Sequence, residues 1–170
     1  MGLVEIRPET GTDLAEIGEV NRLAFGGEQE ARLVGELRDA GYARLSLVAA
    51  EDGRIVGHVM LSEAGIQTEN GPVEALALGP VGVLPDRQGE GIGSALIREA
   101  LGRCARAGHR IVVLVGHPGY YPRFGFSAGL AENLSSAYSG EAVMALELAP
   151  GALSGVSGRF RFAPPFGRGS

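Results

Sequence analysis

PDRQGEGIGSALI, residues 85–97, sets Gly89, Gly91 and Gly93 into five positions and then runs directly into apolar spacing that reads as a helix. Glycine gives up more backbone freedom on folding than any other residue. Three of them at the mouth of a helix mark a place where the chain bends tightly or lets something approach its backbone. Upstream, VEALALGPVGVLP (73–85) reads as a strand with Leu76, Leu78, Val81 and Val83 apolar, and with Gly79-Pro80 interrupting it as a bulge. A strand, a glycine turn and a helix start together form an anion site. The first N–H groups of a helix have no acceptor within it, the helix dipole adds partial positive charge, and glycines let a phosphate come close. The stretch points to a ligand that carries phosphate.

Three phosphate motifs compete for it. A P-loop needs a Lys after its second glycine, and the chain has no Lys. The dinucleotide fingerprint needs G-x-G-x-x-G and an acidic residue about 20 positions on. Here the glycines read G-x-G-x-G, and IVVLVGHPGYY (111–121) offers no carboxylate to a ribose. The third pattern, Q/R-x-x-G-x-G/A, fits Gln88-Gly89-Glu90-Gly91-Ile92-Gly93. A tight turn that serves packing alone is the remaining alternative.

Composition narrows the class. The 170 residues are 45% hydrophobic and 6% aromatic, which suits one domain with a sizeable core. All 15 basic residues are Arg, against 20 acidic ones, for a net charge of −5. That acidic balance argues against nucleic-acid binding and leaves room for a cationic acceptor. Cys104 is the one cysteine, which excludes an intrachain disulfide and a Cys-based metal cluster. MGLVEIRPE lacks the basic and apolar regions of a secretory signal, and Ile6 stands where a myristoylation signal needs Ser or Thr. No apolar run approaches the roughly 20 residues that span a bilayer. The expectation is a cytoplasmic protein with no membrane contact, its oligomeric state open, a homodimer included.

The remaining elements follow from periodicity. VEIRP (4–8) is a short strand. TDLAEIGEVNRLAF (12–25) spaces Leu14, Ile17 and Leu23 as a helix does, and EARLVGELRDAG (30–41) sets Leu33 and Leu37 four apart before the stop at Gly41. LSLVAAEDGRIVGHVMLSEA (45–64) reads as a hairpin turning at Glu51-Asp52-Gly53. A helix is expected from about Ile92 to Ala107, then a buried strand RIVVLVG, a short turn or helical piece YYPRFGF, a strand VMALEL and an edge strand GRFRF. No repeat, linker or composition shift interrupts the chain. The reading is a single mixed α/β domain over 1–170, with its core about 4–148 and a glycine-rich tail, PPFGRGS.

With these motifs assembled, the chain resembles the GNAT acetyltransferases, and more narrowly their YhbS-like branch. Q/R-x-x-G-x-G/A after a strand is one carrier of the resemblance. A second is Tyr121, four residues before the pair Gly125-Phe126 in YYPRFGF. ALGPVGVLPDRQGEGIG, GHPGYYPRFGF and MALEL complete it. The resemblance implies a central, mostly antiparallel mixed sheet splayed at the fourth strand and flanked by helices. It implies acetyl-CoA as co-substrate, with no metal. Val81 and Val83 would offer backbone groups to the pantetheine arm. Gln88, Gly89, Glu90, Gly91, Ile92, Gly93 and Ser94 would cradle the pyrophosphate, and Tyr120 would shape a wall of the site.

The chemistry implied is direct attack of an amine on the thioester. The amine is a small molecule or belongs to a peptide or protein. Family likeness gives Tyr121 the role of acid for the departing thiolate. A strand-borne Glu that many members use as base is replaced here by Ala77. The base therefore falls to Glu30, in a helix start after a loop expected to face the cleft, or to Glu28, His117, Glu74 or water. His58 reads as a packed strand histidine. Cys104 shares a helix row with Leu96 and Ala100, which is core spacing. A binding module that keeps acyl-CoA but does not catalyse is the rival reading. A nucleotide-binding protein is the third.

Overall fold

The computed structural model describes residues 3–138 and 142–167. The last three residues of the PPFGRGS tail lie outside them. The elements in order are β1 (Glu5–Pro8), α1 (Leu14–Phe25), α2 (Gln29–Asp39), β2 (Ala43–Glu51), β3 (Arg54–Thr68), β4 (Gly71–Val83), α3 (Ile92–Arg106), β5 (Ile111–Val115), β6 (Leu134–Ser135), β7 (Val143–Glu147) and β8 (Gly158–Phe162). The chain divides into two compact units. One runs from the N-terminus to Leu61 and includes Gly79–Gly102; the other comprises Ser62–Leu78 and the chain from Arg103 onward. This is the mixed, mostly antiparallel α/β arrangement expected from the sequence.

In the first unit, β1 pairs antiparallel with β2, Glu5 opposite Ala50 and Pro8 opposite Leu47. β2 and β3 form the expected hairpin. Asp52 (φ 51°) and Gly53 (φ 79°) both take positive φ, the requirement of a type I′ turn. α1 buries Ile17, Val20 and Asn21, while Leu14 and Leu23 are exposed. α2 buries Val34 and Leu37, so its apolar stripe passes through Val34 rather than Leu33. α1 stops at Gly26, whose left-handed φ of 74° lets its N–H reach Arg22 O at 2.9 Å. Near the start of α1, buried Asp13 accepts a fork from Arg7 at 2.7 and 3.1 Å and the Thr10 backbone N–H at 2.7 Å. The Arg7 hydrogen bonds hold its carboxyl down at about 2.

α3 is the expected helix, with Leu96, Ile97, Ala100, Leu101 and Cys104 buried. Its approach to β3 requires a glycine. A Cβ on Gly57 would lie 3.0 Å from both Ile92 Cγ2 and Leu96 Cδ1. That close packing fixes the helix start that follows the glycine turn.

In the second unit, β4 pairs in parallel with β5 at Leu76–Val112 and Ala77–Val113, and β5 pairs antiparallel with β7 from Ile111–Glu147 to Val115–Val143. β8 pairs antiparallel with β3, Ala64 opposite Phe162, and β6 pairs in parallel with β8. The buried cluster here includes Ile66, Ala77, Ile111, Val113, Ala145, Phe160 and Phe162. β3 is longer than the sequence implies. It continues to Thr68 and turns at Glu69-Asn70 into β4, where Thr68 Oγ1 donates to Gly71 O at 2.7 Å. β4 runs unbroken through Gly79-Pro80, and that peptide is cis. Among the described residues no helix is long and apolar enough to cross a membrane.

Candidate functional site

The glycine turn and the end of β4 that leads into it, from Gly79 onward, belong to the first unit. Val81 and Val83 are half-buried and Gly82 between them is buried, because α1 lies against it: a Cβ there would be 3.2 Å from Asn21 Oδ1 and 3.3 Å from Ala24 Cβ. After β4, Leu84 N–H bonds Val56 O at 3.0 Å and a 3-10 turn covers Pro85–Arg87. Gln88 then folds back, its Nε2 donating to Val83 O at 3.0 Å. Its side chain thus sets the exit angle from the strand.

Gly89 (φ 81°) and Gly91 (φ 83°) take the left-handed backbone that other residues avoid. A Cβ on either would meet nothing within 4 Å. Packing therefore does not demand these glycines; the turn geometry and an open outer face do. Gln88 to Gly91 are exposed, Ile92 is buried, and Gly93 and Ser94 are half-buried in the first turn of α3. Gly91 O accepts Ala95 N–H at 3.0 Å, which starts the helix at the turn. Exposed glycine backbone at a helix N-terminus is the kind of place that suits an anion.

Glu30 sits half-buried in the first turn of α2. Glu28, just before that helix, is exposed and tied to Arg22 Nε at 2.8 Å. In the second unit, Tyr121 opens the 3-10 segment Tyr121–Phe124 and is half-buried. Its ring lies directly over Gly116: a Cβ there would fall 2.5 Å from Tyr121 Cε2. It also packs edge-on against Tyr120, with centroids 5.1 Å apart, and against Phe126 at 6.1 Å. Burial, with a smaller contribution from Tyr120, raises the Tyr121 phenol above its ordinary value, so the proton stays on Oη. The Tyr120 ring also packs against Phe124, with centroids 5.3 Å apart, and carries the Arg123 guanidinium 4.4 Å from its centroid. His117 is exposed and caps the segment with its carbonyl, and Glu74 is exposed on β4. Ala77 is fully buried.

Cys104 is buried and burial pushes its thiol up to about 11, which removes it as a nucleophile. Among the described residues, no three His, Cys, Asp or Glu side chains gather as metal ligands would.

A polar chain that the sequence does not reveal runs through the first unit. Asn21 Nδ2 donates to Ile17 O at 3.0 Å and faces His58 Nδ1 at 3.3 Å. His58 Nε2 lies 2.9 Å from Ser46 Oγ, Ser46 donates to Glu9, and Arg38 grips Glu9 with a fork at 2.8 and 2.9 Å. An amide nitrogen only donates, so Nδ1 accepts and Nε2 carries the proton. His58 is thus neutral, and burial drives it from 6.5 down to about 4. Burial pulls Glu9 upward, but the hydrogen bonds from Arg38 and Ser46 outweigh it and leave the carboxyl lowered.

This chain carries a pH prediction. Above pH 6.5, His58 is neutral in both folded and unfolded chains and costs nothing. As pH falls from 6.5 toward 4, the unfolded chain binds a proton that the folded one refuses. The stability lost over that window is roughly 3 kcal/mol. Urea unfolding at stepped pH measures it. His58→Gln, which cannot titrate, should flatten the slope between those limits; an unchanged slope would assign the loss to other groups.

Comparison with known proteins bears on this geometry. Residues 5–129 match the family model described as acetyltransferase (GNAT) domain. The protein called uncharacterized N-acetyltransferase YhbS of Escherichia coli (strain K12) is 32% identical over 166 residues, covering 96% of this chain and 98% of that protein. The crystal structure of Escherichia coli YhbS in complex with CoA superposes with a TM-score of 0.91 at 31% identity, over 98% of this chain and 93% of that one. A GNAT family acetyltransferase from Brucella melitensis, solved with acetyl-CoA, gives 0.83 at 37% identity, over 98% and 99%.

Proposed function

The chain belongs to the GNAT acetyltransferases, and on that footing we propose that it is an enzyme that transfers an acetyl group from acetyl-CoA to an amine. The observation that carries the reading is the cradle at Gly89–Gly91. Its left-handed glycines open onto free space at the start of α3, where backbone N–H groups would hold a pyrophosphate. Relatives solved with CoA and with acetyl-CoA support the same ligand.

When bound, acetyl-CoA supplies an activated acetyl thioester. Residues 88–94 would hold its pyrophosphate, and the backbone of Val81 and Val83 would hold the pantetheine arm. Tyr121 Oη keeps the proton that the departing sulfur requires, because burial holds the phenol in its neutral form. Glu30 takes the proton of the amine, directly or through water. Glu28 is already paired with Arg22 and is the weaker choice. No side chain takes the acetyl group in passing.

Two experiments test these roles. Acetyl-CoA at one hundred times its Kd should add about 2.7 kcal/mol of stability, or roughly 5–10 °C in Tm for a chain of this size. ATP and NAD at the same concentration should add far less. An equal shift with ATP would favour a nucleotide-binding protein. The second experiment uses Gly116. Its methyl variant Gly116→Ala displaces the Tyr121 ring, and kcat with a working amine should fall about 10–100-fold with KM for acetyl-CoA little changed. Added to Tyr121→Phe, the same substitution should cost almost nothing more. A full additional loss would mean that Gly116 matters for folding rather than for the phenol.

The buried Ala77 keeps a second reading open, an acyl-CoA-binding module without turnover, since no carboxylate occupies that strand position. Acetyl-CoA binding without acetyl transfer to any of a broad amine panel would favour it.

A further inference from the structure

The glycine turn contains an acid. Glu90 stands between the two left-handed glycines, where a bound diphosphate would meet a like charge. Arg87, three residues earlier, offsets that charge, and its own anchor, Glu51, is 36 positions away in sequence. Arg87 Nε donates to both Glu90 oxygens, at 3.1 and 3.3 Å. Its Nη1 and Nη2 form a fork with Glu51 at 2.6 and 3.1 Å. Glu51 is the last residue of β2, so the anchor sits on a strand end rather than on a mobile loop. The Arg87 and Glu51 side chains are only 17% and 20% exposed, whereas Glu90 is 46% exposed. The pairing with Glu51, and then with Glu90, raises the Arg87 guanidinium further above its ordinary value. All three guanidinium nitrogens are engaged by these two carboxylates, so the group is not aimed outward at a ligand.

We propose that Arg87 is a positioning residue for the cofactor's diphosphate: clamped to Glu51, it partly offsets the charge of Glu90 inside the turn and holds residues 87–90 in the shape that presents the backbone N–H groups. Arg87 acts through Glu90 and the turn, not by touching phosphate. This rests on the reading of the turn as the acetyl-CoA cradle. Without Arg87, the Glu90 carboxylate would stand in the turn without its cation, and a diphosphate would be repelled. A Lys would restore the charge but not the fork that joins both partners.

The test uses CoA as the probe in calorimetric titrations at low and high salt. Arg87→Met should weaken CoA binding about tenfold at low ionic strength, and the deficit should shrink as salt screens the freed carboxylates. Arg87→Lys should fall between Met and wild type. Glu90→Gln alone should bind CoA at least as tightly as wild type. In Arg87→Met/Glu90→Gln the affinity should return to within about threefold of wild type, because the charge that Arg87 offsets is gone. If Arg87→Met does not fold, Arg87→Gln serves instead: it removes the charge from a polar side chain, should weaken CoA about tenfold at low salt, and should be rescued by Glu90→Gln. Unchanged CoA affinity in folded Arg87→Met overturns the proposal and leaves the clamp a purely structural device. Failure of Glu90→Gln to rescue also overturns it, since the guanidinium would then contact phosphate itself. If wild type binds no CoA, the reading of the turn fails and this proposal with it. If wild type and Arg87→Met bind alike, this proposal alone fails.

Discussion

Tyr121→Phe is expected to lower kcat by about 10²–10⁴-fold while leaving KM for acetyl-CoA nearly unchanged. The substitution removes one oxygen and keeps the ring that packs over Gly116 and against Tyr120 and Phe126. Folding should hardly change. In the proposed role the proton on Oη is needed only as the sulfur departs, so its loss should fall on the chemical step and not on binding. Burial raises the phenol, which places its ionisation on the alkaline side of the profile. The alkaline limb of kcat against pH should therefore move or vanish in the variant. Tyr120→Phe is the control. Its ring carries the Arg123 guanidinium, and it should cost far less. Steady-state kinetics across pH with one working amine decides the matter. Near-full kcat in Tyr121→Phe would remove the acid from this residue while leaving the acetyl-CoA cradle intact.

Gly91→Val is expected to abolish the stabilisation by acetyl-CoA. At φ 83° a valine is strained even without ligand. A left-handed residue costs about 1–2 kcal/mol, so the free variant should melt a few degrees lower. The larger effect is on binding. Gly91 opens onto free space, and an isopropyl group there would fill the room the proposed pyrophosphate site requires. At ligand levels that raise wild-type Tm by roughly 5–10 °C, the variant should show no shift. Gly26→Ala, at another left-handed glycine outside the turn, shares the strain and should keep the shift. Equal shifts in wild type and Gly91→Val would place the ligand elsewhere.

Local signals were legible in the sequence where the cause is local. Asp52-Gly53 demands a type I′ turn, and the hairpin is there. Residues 92–106 carry an unambiguous apolar row, and the helix follows it through Cys104. Gly89 and Gly91 stand in a glycine turn before a helix, and both take the left-handed backbone such a turn uses. What escaped the sequence depends on residues far apart in it. Arg87 and Glu51 are 36 positions apart, and Asn21 and His58 are 37 apart. The spacing of Leu14, Ile17 and Leu23 suggested one face for α1. The buried face instead carries Ile17, Val20 and Asn21, because the amide is held by His58 and packs beside Gly82. The reach of β3 to Thr68 was hidden because its turn, Glu69-Asn70, is closed by the Thr68 hydroxyl rather than by an obvious Asn-Gly hairpin pair. The demand for glycine at 116 is equally invisible until Tyr121 folds back over it.

The central claim is that this chain moves acetyl groups from acetyl-CoA to amines, and the most direct test is a turnover measurement. Purified protein, acetyl-CoA and a panel of amines are combined, free CoA thiol is followed with a thiol reagent, and the acetylated product is weighed by mass spectrometry. The expected result is amine-dependent thiol release matched one for one by an acetylated amine, and lost in Gly91→Val. Tight acetyl-CoA binding with no amine-dependent release across the panel would contradict the claim and leave a binding module on the same fold.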